Sequence, residues 1–141
     1  MRNPLRSVAA IVIGFVVIGA LALGTDALLH SWMPDVFNPT TLTTAGAGIL
    51  LLTIVYVGVF AIAGCYLAAR LAPERPMLHA MILGVLGLVF NVVGTIGQWA
   101  TAPVWYHVTS LVLVLPYAWL GGWLRERELQ HRPATVAAVG V

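Results

Sequence analysis

The stretch that decides the fold is GAGILLLTIVYVGVFAIAGCYLAARLAPERPMLHAMILGVLGLVFNVVGTIGQ, Gly46 to Gln98. It holds two apolar runs, Gly46 to Leu71 and Met77 to Gln98, separated by a short segment that contains Pro73, Glu74, Arg75 and Pro76, with Arg70 just before it. A bilayer's hydrocarbon is roughly 30 Å thick and takes about 20 apolar residues to cross as a helix, so each run is long enough for one crossing. Inside hydrocarbon every backbone polar group must be bonded within its own segment, and neither run alternates as a barrel strand would, so both are read as helices. Pro76 stands where a helix begins, a position whose N–H has no intrahelical acceptor to lose. The two prolines of the turn make the pair a tight helical hairpin.

Working outward, a further apolar run lies on each side. Val8 to Leu29 precedes the hairpin and is interrupted only by glycines and the pair Thr25 and Asp26; Pro103 to Leu124 follows it. The fold class is therefore all-α, a polytopic membrane protein built as a four-transmembrane-helix bundle. Residues 1–128 form a single domain, and Leu129 to Val141 form a tail too short to cross a membrane. A rival reading takes residues 1–22 as a cleaved signal peptide, because Arg2 and Arg6 precede the apolar run and Ala20 and Ala22 make an AxA-like site. The apolar run continues past Ala22, which favours a span.

The basic residues give the bundle a polarity. All seven are arginines: Arg2 and Arg6 precede span one, Arg70 and Arg75 flank the hairpin turn, and Arg125, Arg127 and Arg132 follow span four. Residues 31–45 and 99–102 contain no Lys or Arg, so the positive-inside rule places both termini and the 72–76 turn in the cytoplasm. The tryptophans Trp32, Trp99, Trp105, Trp119 and Trp123 all fall near span ends, where amphipathic rings sit at headgroup depth.

Composition excludes several other classes. With 60% hydrophobic and 9% charged residues, the chain has more apolar surface than a soluble domain of 141 residues can hide, and four spans leave no length for a soluble catalytic domain. The net charge of +2 marks the cytoplasmic side rather than a nucleic-acid partner. Cys65 is the only cysteine, so an internal disulfide, a CxxC motif and a multi-cysteine zinc site are all ruled out. The sequence Asn38-Pro39-Thr40 is not a glycosylation acceptor, because proline stands in the middle. The expected partners are the lipid bilayer and either further copies of the chain or another membrane protein.

Span three carries the clearest internal pattern. Ala80, Gly84, Gly87, Asn91, Gly94 and Gln98 recur at steps of four and three, so they share one helix face. In lipid, small residues let backbones approach and Asn or Gln bond across the contact, which turns this stripe toward the bundle interior as a helix-packing face. Gly58, Ala61, Cys65 and Ala68 make a matching stripe on span two. Simple packing is the plain reading of both stripes, and a pore or ligand lining is the alternative, weighed most evenly at Asn91.

One convergent polar set can be assembled. Asp26 and His30, four residues apart, share a face of span one, and Asp26 lies about 30 Å along the axis from Arg6, at the outer interface. Tyr106 and His107, beside Trp105 and Ser110, open span four on that side, and Gln98 closes span three there. Asp26, His30, Gln98, Tyr106 and His107 are thus the candidate outer-leaflet cluster. Side chains at that depth also reach water without any function. A haem or metal held by the cluster is an alternative, but the sequence contains no HExxH or paired-cysteine spacing to support one. His79 lies near the opposite end of span three and is read as interfacial. Pro116, inside span four, cannot bond the carbonyl of Val112.

Two segments, YLAARLAPERPMLHAMILG (Tyr66–Gly84) and PYAWLGGWLRER (Pro116–Arg127), resemble a loose group of small, uncharacterised bacterial four-helix integral membrane proteins. The resemblance implies the architecture and brings no activity with it. The function expected from the residues is that of an accessory or structural helix bundle. The uncharged midplanes of spans two to four weigh against an ion-coupled transporter. A small-solute channel or transporter formed by an oligomer is the second reading, and a membrane redox or metal-dependent enzyme with an outer-leaflet site is the third.

Overall fold

The computed structural model describes residues 3–35 and 46–131. Arg2, Arg132, the Asn38-Pro39-Thr40 triplet and the tail from residue 132 onward lie outside the described residues. Within them the chain is helical: α1 (Pro4–Trp32), α2 (Ala47–Leu71), α3 (Pro76–Gly97), a single 3₁₀ turn (Trp99–Thr101) and α4 (Val104–Gln130). All four α-helices are long and apolar enough to cross a membrane, which makes the architecture that of a multi-pass membrane protein.

The helix starts follow the prolines. Pro4 and Pro76 occupy the first turn of α1 and α3, and Pro103 is the residue that precedes α4. The hairpin turn is tight enough to hold Arg75 at φ 50°, the one non-glycine residue with positive φ among the described residues. Two helices outrun their apolar runs. α1 begins at Pro4 and passes without a break through Ala20 and Ala22, while α4 continues to Gln130 and carries the charged residues 125–128 as a helical extension. There the Arg125 guanidinium donates to Glu128 at 2.6 Å, the Tyr66 hydroxyl donates to the same carboxylate at 2.7 Å, and Arg127 lies over the Trp123 ring at 4.3 Å. Pro116 is accommodated inside α4 without ending it.

Side-chain contacts fix how the helices run. Gly14 packs on Gly64 and Ala68 near one end of the α1–α2 pair, and Asp26 meets Tyr56 toward the other, so these helices are antiparallel. Gly84 against Ala118 and Gly122 against Met77 make α3 and α4 antiparallel as well. Helices α2 and α4 run parallel, through Gly58 on Tyr117, Cys65 on Gly121 and Tyr66 on Glu128. Helix α1 leans on α2 and touches α3, where the Phe15 and Phe90 rings meet at 5.0 Å between centroids, tilted by 45°. This up-down-up-down order brings Arg6, Arg70, Arg75, Arg125 and Arg127 to one end, the arginine end; the other end holds Trp32, Trp99 and Trp105.

Packing is unequal along the bundle axis. Gly14, Gly64, Gly84, Gly121 and Gly122, all in the half nearer the arginine end, sit where an added Cβ would collide with a neighbouring helix. At Gly121 that Cβ would lie 2.7 Å from the Ile62 carbonyl oxygen and 2.8 Å from the Tyr66 nitrogen, so backbone rests against backbone. A Cβ on Gly58, near mid-bundle, would strike the Tyr117 ring, whereas Gly19, Gly24, Gly48, Gly94 and Gly97 meet nothing within 4 Å, the last four being exposed positions. The core cluster of Cys65, Ala68, Ala69, Ala80, Leu83 and Ala118 occupies the arginine half too. Close backbone-to-backbone packing is therefore concentrated near the arginines, while toward the other end burial comes from larger side chains such as Leu50, Thr95 and His107.

Candidate functional site

A partly open cavity lies among the four helices, its floor reaching Cys65, Leu83 and Gly84. It has a volume of about 190 Å³ and takes lining from every helix: Ile18 from α1, Ile54 and Val57 from α2, Leu83 and Gly87 from α3, Val114 and Tyr117 from α4. Its walls are mostly apolar, and polar groups gather at the end away from the arginines, where Asn91, Tyr106 and Ser110 stand. Those three residues also border a second, adjoining pocket of about 170 Å³, completed by Gly94, Thr95, Gln98 and His107. An apolar chamber thus leads into a polar vestibule.

The local sequence explains this gradient. The α3 stripe begins with Ala80 and Gly84, which are buried against α4, and continues as Gly87 and Asn91, which face the chamber. A Cβ on Gly87 would sit at 3.7 Å from Val114, ordinary contact with room beyond it. Gly94 and Gln98, on the last two turns, are exposed and edge the vestibule. One periodic face therefore does two things: its first half packs and its second half lines space. The α2 stripe divides in another way, since Gly58 and Cys65 face α4, Ala68 faces α1 and Ala61 lines the chamber.

Of the sequence-derived cluster, Gln98, Tyr106 and His107 come together around the vestibule. Asp26 stands beside it: its carboxylate accepts a hydrogen bond from the Tyr56 hydroxyl, and Tyr106 lies within electrostatic reach of the same charge. His30, one turn further along α1, is exposed. His107 is the most enclosed member, only 4% exposed, with its ring stacked on Trp99 at 5.2 Å and 11° and its Nε2 buried without a hydrogen-bond partner. A buried imidazole nitrogen without a partner carries a desolvation cost, so this atom has an unmet demand for a donor or acceptor.

Tyr56 and Thr53 on α2 and Thr95 on α3 escaped the sequence reading. Tyr56 was findable in principle: it is the one phenol of α2 in the half that an antiparallel α1 places beside Asp26. His79, at the start of α3, is buried among the helices. It is 1% exposed, its Nδ1 lies 3.1 Å from the Arg75 carbonyl oxygen, and its Nε2 is buried without a partner, because the tight hairpin folds the first turn of α3 back against the bundle. Among the described residues no three His, Cys, Asp or Glu side chains converge as a metal-binding group. The chemistry on offer is hydrogen bonding at the mouth of an apolar space.

In comparisons with known proteins, no family model, no curated protein and no solved structure matches the chain. The fold and site define a class, a multi-pass helical membrane protein with an internal cavity, and the particular activity has to be argued from this chain's own residues.

Proposed function

We propose that this protein is an accessory component of a bacterial cell membrane that holds a small amphiphilic molecule in its cavity and carries out no covalent chemistry on it. The arginine bias supports an orientation with both termini and the α2–α3 turn in the cytoplasm, so that the cavity opens in the outer leaflet. The single observation behind the reading is the unequal packing: glycine contacts close one half of the bundle, and the other half surrounds an apolar chamber with a polar rim. Apolar cavities on the order of 150 Å³ take up a benzene-sized molecule, so this chamber suits a ring or a short alkyl segment. Tight closure at Cys65, Ala68, Ala80 and Leu83 argues against a water path through a single copy.

The test is extraction of the purified protein with organic solvent, followed by mass spectrometry, for the native chain and for Gly87→Leu, which fills the chamber. The native protein should carry one small non-phospholipid amphiphile at close to one per chain, and Gly87→Leu should lose it while eluting as the same species. Equal amounts in both, or none enriched over bulk lipid in either, would remove the reading.

A further inference from the structure

The polar vestibule has a chemistry of its own, and it bears on what the cavity can hold. We infer that the molecule bound there has an uncharged head carrying an acceptor oxygen, a carbonyl or hydroxyl, which lodges between α3 and α4 against Asn91, Gln98 and Ser110 while its apolar part fills the chamber; this rests on the cavity-binding reading above.

The charge state follows from what lines the vestibule. No carboxylate and no guanidinium borders it. The arginines of the described residues are all at the opposite end of the bundle. A carboxylate or phosphate head would therefore find no cation to meet it there, and the Asp26 charge close to Tyr106 would oppose it. A cationic head fares no better inside the vestibule, because Asp26 does not border it and that carboxylate is engaged by Tyr56. A neutral head avoids both costs.

The hydrogen-bonding sense follows from how the lining groups are already used. The Asn91 carbonyl oxygen accepts from the Thr95 hydroxyl at 3.4 Å, which leaves its NH₂ to donate. The Ser110 hydroxyl spends its proton on the His107 carbonyl oxygen at 2.9 Å, so toward the vestibule it can only accept. The Gln98 amide stands at the exposed edge, and the His107 ring forms part of the wall with its unpartnered Nε2 covered by protein. Asn91 and Gln98 thus supply donors and Ser110 an acceptor. A carbonyl oxygen meets the donors by accepting alone. A hydroxyl does so by accepting from Asn91 and donating to Ser110. Gly94 leaves the space in which such a head fits, since no atom of another helix lies within 4 Å of where its Cβ would be.

The experiment uses the full chain in lipid nanodiscs and three decyl probes, each with a diazirine in mid-chain and differing only in the head: hydroxyl, carboxylate or trimethylammonium. Labelled peptides are mapped by mass spectrometry and scaled to labelling of the lipid-facing side of α1. The hydroxyl probe should label the α3 and α4 segments that line the chamber above that background, unlabelled decanol should compete, and the two charged probes should label less. Asn91→Leu and Gln98→Leu should each lower the hydroxyl signal by roughly threefold to tenfold, the effect of one lost hydrogen bond. If Asn91→Leu does not elute as folded protein, Gln98→Leu carries the comparison. Stronger labelling by a charged probe, or a hydroxyl signal unchanged in the folded variants, overturns the neutral-head inference and leaves the cavity reading intact. If no probe labels the chamber above background, both fall.

Discussion

At the scale of single residues, the bundle rests on places where a side chain is missing. A Cβ on Gly121 would meet the Cys65 Cβ at 2.7 Å and two backbone atoms of α2, none of which can swing aside. Gly121→Ala should therefore destabilise the protein by about 1–3 kcal/mol, the range for forced overpacking, read as an earlier thermal unfolding transition in detergent. Gly94→Ala meets nothing, so it should be neutral or gain up to about 1 kcal/mol from helix propensity. If the two variants unfold alike, the unequal packing is wrong. Sequence alone shows that both glycines lie in apolar helices; it cannot show which meets a neighbour, because that depends on how far the helices have separated at each level. The hydrogen bond from Tyr56 to Asp26 is a second residue-scale case. Tyr56→Phe should cost about 1–3 kcal/mol because the acceptor is a carboxylate, and a double-mutant cycle with Asp26→Asn should be clearly non-additive. Additive effects would mean that the two side chains do not meet.

At the scale of elements, the sequence is most legible where physics is one-dimensional. Span length, proline starts and the arginine distribution all act along the chain, and the four helices form over the apolar runs from which they were read. What the chain direction hides is pairing. The parallel contact of α2 with α4 depends on Gly58 meeting Tyr117 and Cys65 meeting Gly121 across more than fifty intervening residues, and no local signal specifies it. The same holds for the site: His107 and Gln98 were visible as polar residues near span ends, but their shared pocket needed the crossing of α3 and α4. Orientation is an element-scale prediction. In a Cys65→Ser background, a cysteine replacing Thr101 in the α3–α4 connection should react with a membrane-impermeant maleimide in intact cells, and one replacing Glu74 in the α2–α3 turn should react only after permeabilisation. The reverse pattern would invert the bundle.

At the scale of the whole molecule, the described helices combine two regimes, a close-packed half in which small residues bring backbones together and an open half in which the same helices line a space. The most direct test is a comparison of thiol reactivity at two depths, again in the Cys65→Ser background and in nanodiscs. A cysteine replacing Ser110, on the cavity wall, should react with a small methanethiosulfonate reagent and be protected when decanol is present. A cysteine replacing Ala69, which is 2% exposed in the closed half, should stay unreactive. Two unreactive positions would mean that no cavity opens at the arginine-free end; two reactive ones would mean a path through the bundle, and either result contradicts a bundle closed at one end and open to a ligand at the other.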